Sequence, residues 1–435
     1  MTTLREDLGD VHPARQGLSI ALALAVTAPG LILRIGGIEV AHPLEALVFG
    51  AAIVGAAFIL SWAAEVAQLD ISAGLAIAVL ALIAVLPEYA VDLVFAQKAG
   101  NAVEVFGPVC KAPAVTTESS CSLALANMTG SNRLLIGVGW SMVVFIAWYR
   151  FRRAGRPSSG IELGREHSIE IAYLALATIY SLFLPLKETV TPVDALVLVG
   201  IFAAYTIRVA KAPPEEPHLV GPARYVGGFG VAGRRASVVA MFAVSAAIIL
   251  LCAERFAEAL VGTGLDLGIS EFLLVQWLAP LASEAPELLV AGLYAWRLNT
   301  NAGLGTLVSS KVNQWTLLVG TLPIVFALAL GQLHGLPIEA RQREEILLTA
   351  AQSFFALAIL ANLSISVREA WLLFGLFWAQ FIIGGVVPES VHGVERIAVS
   401  VIYLTLGAGI LLRDRRRLPR LLRDGFRVPH DELHG

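Results

Sequence analysis

Residues 278–320 read LAPLASEAPELLVAGLYAWRLNTNAGLGTLVSSKVNQWTLLVG. Most of this stretch is apolar enough to lie in a bilayer, yet it carries Glu284, Glu287 and Lys311, with Pro286 beside the second carboxylate. Ionisable groups at membrane depth are costly and are kept for a task, so these side chains are candidate functional residues. A second copy lies earlier, in LALIAVLPEYAVDLVFAQK (80–98) and LALANMTGSNRLLIGVG (123–139). Pro87-Glu88 aligns with Pro286-Glu287, Gly130-Ser131 with Ser309-Ser310, and Asn132 with Lys311. Each unit has a Pro-Glu in one helix and a small polar run in the next, which implies an internally duplicated transporter.

The composition agrees. Of 435 residues, 57% are hydrophobic and 15% charged, where a soluble domain carries nearer a quarter charged. The apolar residues gather into runs of about 18–28, long enough to cross a hydrocarbon core. We read an all-α polytopic membrane protein of twelve spans: 18–35, 42–66, 72–98, 121–150, 169–187, 192–210, 236–261, 270–296, 303–331, 346–364, 369–387 and 396–413. Small polar residues split the two longest runs, at Gln68-Leu69-Asp70 and at Gly262 to Gly268. Residues 1–17 do not resemble a cleaved signal peptide, and the run from Leu18 reads as an uncleaved span.

Basic residues set the expected orientation. They gather at 150–165, 208–235 and 413–427, on one face if there are twelve spans. That face is expected to be cytoplasmic, with both termini there and the protein in the plasma (inner) membrane. The Glu88 and Glu287 spans then run in opposite directions, so the two units are inverted repeats. The expected layout is an N-terminal segment with one extra span (1–41), a first half (42–210), a cytoplasmic linker (211–235), a second half (236–387), and an extra span with a basic tail (388–435). The upstream segments 58–74 and 248–271 extend the repeat, and residues 99–120 lengthen one outer loop. The arginine clusters abut spans and lack interleaved aromatics, so no nucleic-acid partner is expected; the partners are the lipid bilayer and small inorganic cations.

Proline removes a backbone donor and frees a carbonyl one turn back. At membrane depth that carbonyl needs a partner, and a bound cation is one. A neighbouring carboxylate completes an oxygen-lined site suited to a hard cation. The alternative is a kink whose Glu bonds to a neighbouring helix; two such pairs in inverted copies favour the ion site. Asp92 lies one turn after Glu88, and Glu284 one turn before Glu287, so each pair shares a helix face. Two adjacent carboxylates cannot both ionise cheaply in low dielectric, which suits proton coupling; Asp92 can instead anchor at the interface. Asn127, Ser131, Asn132, Thr306, Ser310 and Asn313 can line the site, although small residues also serve close packing. Lys311 can pair with Glu284 or Glu287 and stand in for a second cation, or form a purely structural ion pair. Arg133 can snorkel or pair with Asp92. The Lys187-Glu188 and Glu395-Arg396 pairs read as solvated ends. Cys110 and Cys121 flank an outer loop, as a disulfide or as two thiols; Cys252 reads as core. No catalytic serine motif, HExxH or phosphate-binding glycine loop occurs, so a membrane enzyme is not expected.

These pieces resemble the cation/calcium antiporter superfamily, with its sodium/calcium exchanger-like fold of two inverted five-helix halves. That family carries G-T-S-x-P-E in one helix and G-N-x-x-G-S-N in the next. Here Ser283, Pro286 and Glu287 stand in ASEAPE (282–287), Pro87 and Glu88 in the first half, and ANMTGSN at 126–132. The resemblance covers about residues 42–387. It implies that Glu88 and Glu287 are the central cation-binding acids, with Ser131, Ser283 and Ser310 as further ligands. Ala84 and Val85 replace Thr and Ser of the motif, Glu284 replaces a Ser and Lys311 an Asn. Leu135 and Gln314 stand where the family often has an acidic or amide ligand. Fewer oxygens and an internal ammonium point towards sodium/proton antiport, with sodium/calcium or calcium/proton exchange as alternatives. A non-transporting scaffold or sensor on the same fold is the reading from another class. No cofactor is expected; Na+ or Ca2+ and H+ are substrates.

Overall fold

The computed structural model describes residues 13–70, 86–107, 110, 118–156, 158–211, 219, 221–386 and 389–433. Ala84 and Val85, with the rest of the expected third span before residue 86, lie outside these, as do parts of the 99–120 loop and of the 211–235 linker.

Among the described residues the fold is all-α apart from two short ribbons. The helices are α1 (Pro13–Gly36), α2 (His42–Ala67), α3 (Leu86–Phe106), α4 (Ser120–Leu134), α5 (Ser141–Arg153), α6 (Ser168–Ser181), α7 (Pro192–Val209), α8 (Pro222–Gly227), α9 (Val231–Leu267), α10 (Glu271–Trp296), α11 (Thr300–Asn313), α12 (Val319–Leu330), α13 (Ala340–Leu360), α14 (Val367–Val386), α15 (Glu389–Arg413) and α16 (Leu418–Phe426). Apart from α8 and α16 they fall on the expected stretches, α4 with α5 and α11 with α12 each sharing one, and α3 covering the described part of the third. Nine helical segments among the described residues are long and apolar enough to cross a membrane. α10, with Glu271, Glu284 and Glu287, and α13, with Arg341, Arg343, Glu344 and Glu345, are more polar than those nine.

Local sequence explains the ends. Thr191 and Asp194 cap α7 reciprocally, with Pro192 at its first turn. Ser119 caps α4, accepting from Ser122 N at 3.1 Å. The break expected at 262–268 comes later: α9 runs on to Leu267, and Gly268, with φ of 64°, terminates it. Gly262 does not break the helix because it lies against the His42 ring, where packing holds it. The 99–120 loop is also shorter than expected, since α3 continues to Phe106. Beyond it, Cys110 and Cys121 are joined as a disulfide.

The halves interlock reciprocally. α2 and α9 pack antiparallel and are tied at both ends, His42 Nδ1 to Asp266 Oδ2 at 2.7 Å and Arg234 Nε to Asp70 Oδ2 at 2.7 Å. α10 packs on α4, and α3 packs on α12, so each Pro-Glu helix lies on the opposite repeat's polar segment or its continuation. Two antiparallel ribbons cross-pair the halves: β1 (Gly160–Glu162) with β4 (Ser364–Ser366), and β2 (Thr189–Val190) with β3 (Leu336–Pro337). Pro280 removes a donor from α10 and so frees the Gln276 carbonyl. Gly130 of α4 lies against that oxygen; a Cβ there would sit 1.7 Å from it. Only glycine allows this approach.

Candidate functional site

Each polar run leads into a π-helical turn. Leu135–Trp140 follows α4, and Gln314–Leu318 follows α11. Such turns loosen the regular hydrogen-bond ladder and recur at functional sites. They stand at equivalent places in the two repeats, Leu135 four residues after Ser131 and Gln314 four after Ser310.

Between these turns and the two Pro-Glu helices lies a cluster of acids. Glu88 and Asp92 of α3 and Glu284 of α10 are buried, and Glu287 is half-buried. One Gln314 amide bridges two of them: Nε2 donates to Glu88 Oε1 at 2.7 Å and also to Glu284 Oε1. Glu284 is within hydrogen-bonding reach of both Glu88 and Glu287. Ser310 Oγ donates to Glu287 Oε2 at 2.6 Å, and Asn127 Nδ2 to Asp92 Oδ1 at 2.7 Å. Glu88 Oε2, Asp92 Oδ2, Glu284 Oε2, Asn127 Oδ1 and Gln314 Oε1 are buried and receive no bond from an amide, hydroxyl or ammonium group. Buried acceptors without donors are costly, and a cation or a proton is what such a set takes up. No three His, Cys, Asp or Glu side chains among the described residues are arranged to hold a metal ion. Amide, hydroxyl and main-chain oxygens would have to complete a cation's shell here.

Lys311 is fully buried beside this cluster. Its direct partners are not carboxylates. Nζ donates to Asn132 Oδ1 at 2.6 Å and to Asn132 O at 3.2 Å, and lies 4.5 Å from the Trp315 ring centre. Glu284 is the acid whose charge acts on it. The pairing of Lys311 with Glu284 or Glu287 is thus corrected, because α4 of the other repeat supplies a nearer amide and carbonyl.

The remaining residues are placed as follows. Ser283 Oγ bonds within its own helix, to Ala279 O at 3.2 Å and Pro280 O at 3.3 Å. Ser131 Oγ is buried with no hydrogen-bond partner, and Thr306 bonds to Ala302 O. Arg133 does not snorkel or reach Asp92. It donates to Glu345 Oε2 at 2.7 Å and to Gln380, and its guanidinium lies 5.1 Å from the Trp277 ring centre. Glu395 and Arg396 are not solvated ends: both are buried, and Arg396 pairs with Glu344 and with Glu345, each at 2.8 Å. Gln276 Nε2 adds a bond to Glu345 Oε2 at 3.0 Å. This network ties α4, α10, α13, α14 and α15 together. Gln314 was visible in sequence as standing four residues after Ser310; its bridging of Glu88, 226 residues away, was not.

A polytopic bundle with two interlocked repeats, each bringing a Pro-Glu helix to one acid cluster, is the architecture of a cation exchanger. The chain belongs to the sodium/calcium exchanger protein family, whose pattern it matches over residues 43–211 and 237–383. It is similar to a solved H+/Ca2+ exchanger, CAX, at 41% identity over 95% of this chain and 98% of that one, with a TM-score of 0.86. It also shares its fold with YfkE, at 13% identity over 89% of this chain and 100% of that one, with a TM-score of 0.57. None of the curated protein sequences matches it. The protein is therefore an integral membrane cation exchanger, and small inorganic cations are what its family acts on.

Proposed function

We propose that this protein exchanges protons for calcium by alternating access, with Glu88 and Glu287 as central acids. The observation that carries this reading is the meeting of Glu88 and Glu284 under one Gln314 amide, with Glu284 also reaching Glu287. Adjacent carboxyl groups away from water hold either protons or a cation between them. Occupancy by one excludes the other, and that competition is the basis of antiport. The halves 42–210 and 236–387 then rock about the site, joined by the 211–235 linker and flanked by 1–41 and 388–435. Calcium is supported by the 41% identity to an exchanger described as H+/Ca2+. It is also supported by the place of Lys311, whose ammonium rests on Asn132 rather than on the acids. Ser131, Ser283, Ser310, Asn127 and Asp92 are the further oxygen ligands in this reading. The basic loops and tail support cytoplasmic termini in the plasma (inner) membrane.

Sodium/proton antiport is a second reading, favoured by one observation. A fully buried ammonium at a repeat position normally held by an amide opposes a divalent ion nearby. Proton flux in everted vesicles separates the two. A pH-sensitive dye should report collapse of an imposed gradient on adding calcium. Collapse on sodium alone would reject calcium, and silence to every cation would reject proton coupling.

A further inference from the structure

Beyond the exchange site, the basic helix α16 has faces divided three ways. Between Arg413 and Arg427 lie seven arginines, at 413, 415, 416, 417, 420, 423 and 427, all exposed. Leu421, Asp424 and Gly425 of α16 are buried against the body of the protein. Gly425 abuts Ala172 and Ser168 of α6, where a Cβ would lie 2.4 Å and 2.5 Å from their atoms. Phe426 makes an edge contact with Tyr173 at 5.2 Å, and Arg208 donates to Gly425 O at 3.3 Å and to Val428 O. Leu422 and Phe426, one turn apart, are each 40% exposed on a second flank. Arg420, Arg423 and Arg427 form the third.

Beside α16 is a pocket of about 400 Å³ lined by Arg165, Ser168, Asn362, Arg417, Arg420 and Asp424, among others. Asp424 is its one acid. Arg165 Nη2 lies 2.9 Å from Asp424 Oδ2, Arg420 Nε 3.9 Å from the same oxygen, and Arg423 Nη2 3.7 Å from Oδ1. Arg165, Arg417 and Arg420 line the pocket with this single carboxylate, leaving an excess of two positive charges, and Arg423 adds a third beside it.

We propose that α16 and this pocket bind the headgroup of an anionic phospholipid from the adjoining leaflet. The helix follows directly on the apolar α15, so it lies at the membrane face. A phosphodiester supplies the negative charge the pocket lacks, in a form guanidinium groups bind bidentately. Acyl chains cover the Leu422–Phe426 flank, as for an interfacial amphipathic helix. A zwitterionic headgroup brings its own cation and gains little. Free phosphate leaves the apolar flank bare.

The test is lipid retention by the full-length purified protein in native mass spectrometry, with phosphatidylglycerol and phosphatidylcholine offered together. Phosphatidylglycerol should be retained in preference. Affinity should fall about fivefold for each arginine removed, hence about a hundredfold in Arg417→Gln/Arg420→Gln/Arg423→Gln. The corresponding triple lysine variant should keep the preference. Equal retention of both lipids, undiminished binding by the glutamine variant, or loss of preference in the lysine variant would overturn the proposal. So would displacement of phosphatidylglycerol by an equal concentration of inorganic phosphate, which would make the ligand a free anion.

Discussion

Lys311 Nζ lies 2.6 Å from Asn132 Oδ1, and the two residues hold the same position in the two repeats. A pseudo-two-fold axis brings equivalent positions together, and here one partner is a cation and the other its ligand. Lys311 therefore sits where Asn132 would otherwise offer two oxygens to an ion. Lys311→Asn frees those oxygens and adds an amide. The variant should fold, since removing a buried ammonium offsets the loss of about 1–2 kcal/mol of cation–π contact with Trp315. Sodium, without effect on the parent, should slow calcium-driven proton release several-fold in the variant. Equal insensitivity to sodium in both would show that Lys311 does not occupy an ion position.

Gln314 is the next target, because its amide serves both Glu88 and Glu284. Gln314→Leu removes that donor and leaves the carboxyl groups facing each other unbridged. A hydrogen bond to a charged group is worth about 1.5–3 kcal/mol, so apparent cation affinity should fall about 10–100-fold. Isotope uptake measured against cation concentration checks this. A changed maximal rate with unchanged affinity would contradict the bridging role.

The Arg133–Glu345–Arg396 network makes a prediction about stability. Glu345 is buried between two guanidinium groups. Glu345→Gln leaves Arg133 without a carboxylate partner, while Arg396 keeps Glu344, and should cost about 3–5 kcal/mol. Thermal unfolding in detergent should move down by more than about 5 °C. Additional loss of Arg133, as Arg133→Met, should recover part of that shift, because it removes the stranded charge.

Asp70 carries a pH dependence that lies outside the spans. The Arg234 guanidinium beside it, helped by Arg235, holds its carboxyl down at about 2. A depressed folded value means that the contribution is fully present above the unfolded value, about 3.9, and is lost as pH falls towards 2. Asp70→Asn should therefore destabilise the α2–α9 contact at pH 6–8. The gap between parent and variant should shrink as unfolding is measured at lower pH, closing near pH 2. A constant gap would mean that the charge is not what Asp70 contributes.

Much of the fold was legible in sequence because bilayer thickness imposes run lengths that few other constraints disturb. The spans could be read from hydropathy, and the duplication from Pro87-Glu88 and Pro286-Glu287. Three things were not legible. The continuation of α9 past Gly262 depends on the His42 ring packed against it, 220 residues away in sequence. The partners of Lys311, Arg133 and Gln314 lie across the pseudo-symmetric interface, at separations of 179, 212 and 226 residues, where no local pattern points to them. Glu395 and Arg396 looked like helix-end charges, since nothing near them in sequence announces Glu344 and Glu345. Charge pairing across halves is a property of the assembled fold.

The central claim is that protons and calcium compete for the Glu88–Glu284–Glu287 cluster. Its most direct test is radioactive calcium uptake by purified protein in liposomes under an imposed pH gradient, for the parent, Glu88→Gln and Glu287→Gln. The parent should take up calcium only while the gradient lasts, and both variants should fall to the level of protein-free liposomes. Gradient-driven uptake at the parent's rate in either variant would contradict the account.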